Sequence, residues 1–155
     1  LIVVQKPGSP GIDLSELKCE KSLTAVGGVN ILLVSNIQAR IAMKDFIKVM
    51  KALSDPNRVK ILKMLQHKVM CVCEIQSALD IAQPTVSKHL KFLEDTGLVG
   101  FKRDGLWVNY HLTDGSKSPY AASLLGNLKY WITEDREIQL LIKNLKSIRR
   151  EDICK

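Results

Sequence analysis

Between residues 71 and 112 the apolar positions change period, and this limits the fold more than any other feature of the chain. Val72, Ile75 and Leu79 fall on one side of a short helix over 71–79, and Asp80-Ile81-Ala82 then turns the chain. Val86, Leu90 and Leu93 form the inward stripe of a second helix over 83–96, which Gly97 ends because glycine takes the left-handed conformation of a helix C-terminus without penalty. From there the period drops to two. Val99, Phe101 and Arg103 lead into Asp104-Gly105, a strong hairpin signal, and Trp107, Val108, Tyr110 and Leu112 return. Two short helices joined by a tight turn and followed at once by a hairpin predict a mainly α fold with a two-stranded β wing, a winged helix-turn-helix.

The flanking segments supply the remaining helices. Met43, Phe46, Ile47, Met50 and Leu53 line one helical face, so the folded unit is expected to begin near Met43 and to run over 43–148. Residues 1–42 carry the breaker clusters Lys6-Pro7-Gly8-Ser9-Pro10-Gly11 and Gly27-Gly28, and read as an irregular extension outside the core, with a helix from about Ser35 as the alternative. Ser54 is the expected N-cap of the next helix, ahead of Pro56, with Val59, Leu62 and Leu65 as its stripe. After 114–119 come a helix through Ala122, Leu125 and Leu128 and another, capped by Thr133, through Ile138, Leu141, Leu145 and Ile148. Residues 149–155 read as a basic tail, and Lys143, Lys146, Arg149 and Arg150 as a solvated face complementing the helix dipole. These helices carry more apolar surface than one winged motif buries, which predicts a dimer.

With 155 residues and 46% apolar content the chain suits one modest domain. Its net charge of +7 steers it toward polyanions. No run reaches the ~18 apolar residues of a spanning helix, and the start lacks the pattern of an export signal, so a cytoplasmic protein without a membrane partner is expected. Cys19, Cys71, Cys73 and Cys154 are too few and too unevenly spaced for a secreted disulfide framework, leaving metal or redox chemistry. Neither a glycine-rich phosphate cradle nor a nucleophile–base pair can be placed on the predicted elements, so no enzyme is expected.

Gln83, Thr85, Ser87 and Lys88 have the chemistry and helix position for the major groove of double-stranded DNA. His89 reads as a structural histidine or a DNA-backbone contact, and Lys91 as facing phosphate or solvent. Lys102 and Arg103 flank the wing tip, where they can enter the minor groove or clamp phosphate, while Trp107 and Tyr110 anchor the wing. Cys71 and Cys73 form a soft-ion thiol pair just ahead of this surface. If both lay in an α-helix their side chains would point about 200° apart, so a shared ion would have to distort the first turn. Glu74 reads as a helix-start carboxylate near the positive dipole end.

On Ala52-Leu53-Ser54-Asp55-Pro56-Asn57-Arg58, Gln83-Pro84-Thr85-Val86-Ser87-Lys88-His89-Leu90, Leu93-Glu94-Asp95-Thr96-Gly97-Leu98-Val99 and Arg103-Asp104-Gly105-Leu106-Trp107-Val108-Asn109-Tyr110, the chain resembles the ArsR/SmtB family of metal-sensing winged-helix repressors. The resemblance implies a homodimer with no obligatory cofactor that leaves operator DNA when an ion binds. It also implies that Cys71-Val72-Cys73-Glu74 is a thiolate site for arsenite or antimonite, with cadmium or lead as the alternative inducers. Where the arsenical sensors carry a third cysteine this chain has Gln76, so Cys154 or Cys19 is the candidate third ligand. A thiol redox-responsive DNA-binding regulator is the remaining alternative. The family's histidine-rich zinc site on the last helix has no counterpart, since no histidine lies beyond His111.

Overall fold

The computed structural model describes the backbone of residues 31–153 and the side chains of residues 42–153. Cys19 and Cys154 lie outside the described residues. Helix α1 (Ile31–Ala52) leads to α2 (Pro56–Leu65), a two-residue strand β1 (Met70–Cys71), α3 (Val72–Leu79) and α4 (Gln83–Asp95). The wing strands β2 (Val99–Asp104) and β3 (Trp107–Leu112) follow, then α5 (Pro119–Leu128), α6 (Arg136–Asn144) and α7 (Arg150–Ile153). Among the described residues no helix is long and apolar enough to cross a membrane.

Proline fixes where α2 and α5 begin. Pro56 and Pro119 sit in first turns, where the missing amide donor costs little, so the preceding residue becomes the cap. Asp55 Oδ1 accepts from the Arg58 amide at 3.1 Å, and Ser118 Oγ from the Tyr120 amide at 3.3 Å. Ser54, the expected cap of α2, instead donates through its hydroxyl to Lys51 O at 2.8 Å and closes the end of α1. Asp135, not Thr133, caps α6, accepting from the Ile138 amide at 3.0 Å. The buried stripe of α5 is Ala121, Leu124 and Leu128, one residue earlier than expected at its first two positions.

The helix-turn-helix core follows the predicted pattern closely. Val86, Leu90 and Leu93 of α4 are fully buried with Ile75, Ile61, Leu62 and Leu98. Gly97 ends α4 at φ +74°, with Leu98 N bonded to Leu93 O and Gly97 N to Glu94 O, the paired bonds of a Schellman motif. The two-residue hairpin loop is Gly105-Leu106, with Asp104 opposite Trp107, so the turn lies one residue later than Asp104-Gly105.

The two-stranded wing is present and gains a short third strand, while two expectations are corrected. The sheet has three strands in the order β1-β3-β2, because Met70 and Cys71 pair with Tyr110 and Asn109. The region 1–42 is not irregular throughout, since α1 begins at Ile31 and its apolar first turn is helical. Nor is the end of the chain a plain basic tail, as α7 packs against α3 and Arg150 is half-buried there.

Helix α1 divides its apolar residues between two faces. Val49 and Ala52 enter the core and Leu53 packs against it, whereas the rest of the predicted stripe remains open in the single chain, with Met43 59%, Phe46 42%, Ile47 44% and Met50 39% exposed. Phe46 meets Tyr120 of α5 edge-on, with ring centroids 5.2 Å apart.

Candidate nucleic-acid interface and thiol site

The burial of Val86, Leu90 and Leu93 sets which way the rest of α4 points. Gln83, Thr85, Ser87 and Lys88 are all exposed around its first two turns. No side chain caps the start of this helix at Ala82, but Pro84 removes one donor that would need a partner, and the Thr85 amide folds back onto Ala82 O at 2.9 Å. His89 is half-buried, its Nδ1 3.9 Å from Asp55 Oδ1, so it faces the start of α2. Lys91 differs from Lys88, Lys102 and Arg103. It pairs with Glu94 at 3.3 Å and Asp95 at 3.2 Å, and these two carboxylates raise its pKa. In the wing, Lys102 and Arg103 are exposed on β2, while Tyr110 packs against the core and against Phe101 at 6.0 Å. Trp107 is half-buried beside the Arg150 guanidinium, 5.8 Å from its ring centre.

The thiol pair lies where β1 becomes α3. Cys71 is buried and caps α3 from an extended conformation, φ −85° and ψ 170°, and Cys73 is half-buried in the first turn. This corrects the picture of two cysteines on opposite sides of one helix, because Cys71 stands outside the helix and belongs to the sheet. Glu74 closes the turn. Its Oε2 accepts from the Cys71 amide at 2.8 Å in a capping box, and Oε1 accepts from Lys68 Nζ at 3.1 Å. Burial pushes the Glu74 carboxyl up, but the Cys71 amide and the Lys68 ammonium outweigh it and hold the group below the usual carboxylate range.

Sequence reasoning missed the rest of this cluster. Arg150 Nη2 approaches Glu74 Oε2 at 3.7 Å and donates to Asn109 Oδ1 at 2.6 Å. Lys68 also donates to Ile148 O at 2.9 Å, tying the segment before α7 to the loop before β1. A groove beside Cys73 is lined by Gln76, Ser77 and, from α7, Ile153. Among the described residues no group of three or more His, Cys, Asp or Glu side chains is assembled for a metal ion. These residues therefore present two thiols, and a three-sulfur site needs another donor.

Residues 55–100, from the cap of α2 into β2, match the model of the bacterial regulatory protein, arsR family. Over 100 residues the chain is 33% identical to the arsenical resistance operon repressor of Escherichia coli (strain K12), covering 64% of this chain and 83% of that one. The chain belongs to the arsR family. As a member of this family it is a DNA-binding transcriptional regulator and not an enzyme. Another arsR-type relative is the cadmium resistance transcriptional regulatory protein CadC homolog of Staphylococcus aureus, 38% identical over 71 residues, 45% of this chain and 59% of that one. The arsR fold itself is matched by the solution structure of the homodimeric winged helix-turn-helix DNA-binding domain Mb0332 from Mycobacterium bovis. That likeness has a TM-score of 0.50 at 24% identity, over 70% of this chain and 92% of that domain.

Proposed function

We propose that this arsR-family chain represses transcription by binding an operator as a homodimer and is released when arsenite or antimonite occupies Cys71 and Cys73. One observation carries this. The thiol pair spans the junction of β1 and α3, so it touches both the helix preceding α4 and the sheet of the wing. A ligand drawn to both sulfurs acts on the two DNA-facing elements together. Arsenous acid suits such a pair: each thiol passes its proton to an arsenic hydroxyl, which leaves as water while the sulfur–arsenic bond forms. Cys154 is the proposed third ligand in preference to Cys19, since it follows Ile153, which borders the groove beside Cys73. Zinc is not the proposed inducer, because the family's zinc site on the last helix draws on histidine and no histidine lies beyond His111. The cadmium-resistance relative supports cadmium or lead as the second reading.

On the DNA side, Gln83, Thr85, Ser87 and Lys88 enter the major groove, and Lys102 and Arg103 contact phosphate or the adjoining minor groove. His89 and Lys91 fall back to supporting roles, His89 beside Asp55 and Lys91 within its own helix. The partner in the dimer is a second copy, seated on the open Met43, Phe46, Ile47 and Met50 face of α1. A two-fold operator would then present one half-site to each α4.

The test is an operator-binding titration of the reduced protein with arsenite, antimonite, cadmium, lead and zinc, repeated on Cys71→Ser and Cys73→Ser. Both variants should bind operator as the parent does and ignore arsenite. Release of the double variant by arsenite would refute the thiol site, and release of the parent by cadmium alone would move the assignment to the second reading.

A further inference from the structure

We infer that Arg150 is a positioning residue that carries occupancy of the thiol pair to the wing, an inference that rests on Cys71 and Cys73 being the inducer site. Three residues lie in one row across the sheet. Cys71 of β1 faces Asn109 of β3, and Asn109 faces Lys102 of β2. Directly opposed residues in antiparallel strands share a face of the sheet, so the proposed ion ligand and the proposed wing contact stand on either side of Asn109.

Arg150 closes this row into a ring. Its Nη2 donates to Asn109 Oδ1 at 2.6 Å and lies 3.7 Å from Glu74 Oε2, which holds the Cys71 amide at 2.8 Å. The Arg150 Nε is buried and without a hydrogen-bond partner among the described residues, so the guanidinium is held mainly from its outer end. It also lies 5.8 Å from the ring centre of Trp107, two positions before Asn109 on the same strand. Drawing the Cys71 sulfur toward an ion must turn the residue that caps α3, and the amide bonded to Glu74 turns with it. The carboxylate then re-aims at Arg150, and the short bond to Asn109 transmits the change to β3 and to Lys102 opposite. Arginine fits this place because its planar fork can serve a carboxylate and an amide oxygen together, which a lysine ammonium does less well.

Operator affinity with and without arsenite, by fluorescence anisotropy, and arsenite binding, by sulfur–arsenic absorption, are measured on the reduced full chain and on Arg150→Ala, Arg150→Lys and Asn109→Ala. Each variant should still bind arsenite, while the ratio of free to arsenite-loaded operator affinity falls by about tenfold in Arg150→Ala and Asn109→Ala. The double variant should lose no more than either single one, because both break the same link. Arg150→Lys should be intermediate, and it carries the test if the alanine variant is unfolded by circular dichroism. Unchanged release in both Arg150 variants, or additive losses in the double one, overturns the inference while leaving the thiol site standing. If cadmium rather than arsenite releases the parent, the same ratios taken with cadmium decide the matter. A parent that no thiophilic ion releases overturns both this inference and the thiol site beneath it.

Discussion

The first turn of α3 is closed by a buried carboxylate, whereas the first turn of α4, packed against it, has no side-chain cap at all. At α3, Glu74 holds the Cys71 amide and is itself held by Lys68 and Arg150, so the start of the helix is tied to the wing and to the end of the chain. At α4, proline and a tightened backbone bond do the capping, and Gln83, Thr85, Ser87 and Lys88 are left exposed. A helix start bound into the protein suits sensing, since anything that disturbs it disturbs its neighbours. A self-sufficient start can give its side chains to an outside partner without loss of stability.

Glu74→Ala should break this contrast most severely. It removes the carboxylate that the Cys71 amide, Lys68 and Arg150 share, and should cost about 3 kcal/mol in urea unfolding, the low end of the range for such pairs because Lys68 and Arg150 are about one-third exposed and keep their bonds to Ile148 O and Asn109 Oδ1. Glu74→Gln, which keeps the shape, should cost less. A loss below about 0.5 kcal/mol in Glu74→Ala, the size of an ordinary surface change, would mean that α3 is no better tied than α4.

Lys88→Ala should weaken operator binding with unfolding nearly unchanged. If Lys88 meets phosphate, the salt slope should fall by about one unit, and if it meets a base, discrimination should fall by about 1–3 kcal/mol. Ala82→Asp is a finer probe of the open start. It should add about 1 kcal/mol of stability by supplying the missing cap and yet reduce operator affinity, because it sets a carboxylate against the DNA backbone. Gain of stability with undiminished binding would place the DNA elsewhere. Lys91→Ala should have the smallest effect, with thermal melting close to the parent's and a salt slope nearer the parent's than that of Lys88→Ala. Its charge is already offset by Glu94 and Asp95.

Much of the motif was legible because it rests on local periods. Val86, Leu90 and Leu93 announce α4, and alternation from Val99 onward announces the wing. Met70 and Cys71 were not legible as a strand, since two residues carry no period and only pairing with β3 makes them one. Ile31 to Val34 lack a polar side, so nothing in their spacing marked the first turn of α1. Arg150 looked like part of a solvated basic run because its partner Asn109 is 41 residues away. The α1 stripe was found correctly as a helix face but is open in the single chain, and its spacing cannot say whether the core or a second copy covers it.

The placing of β3 in the middle of the sheet gives the wing two unequal edges. β1 ends one side after two residues, but β2 offers six, and among the described residues nothing pairs with its outer side. An uncovered strand of that length invites another molecule to add on and begin an aggregate. Lys102 and Arg103 sit on this edge, where their charges discourage such addition. The two residues proposed to grip DNA would thus also keep the free regulator soluble. Neutralising both would bring a colloidal penalty besides the lost contacts, visible as turbidity in concentrated, DNA-free protein.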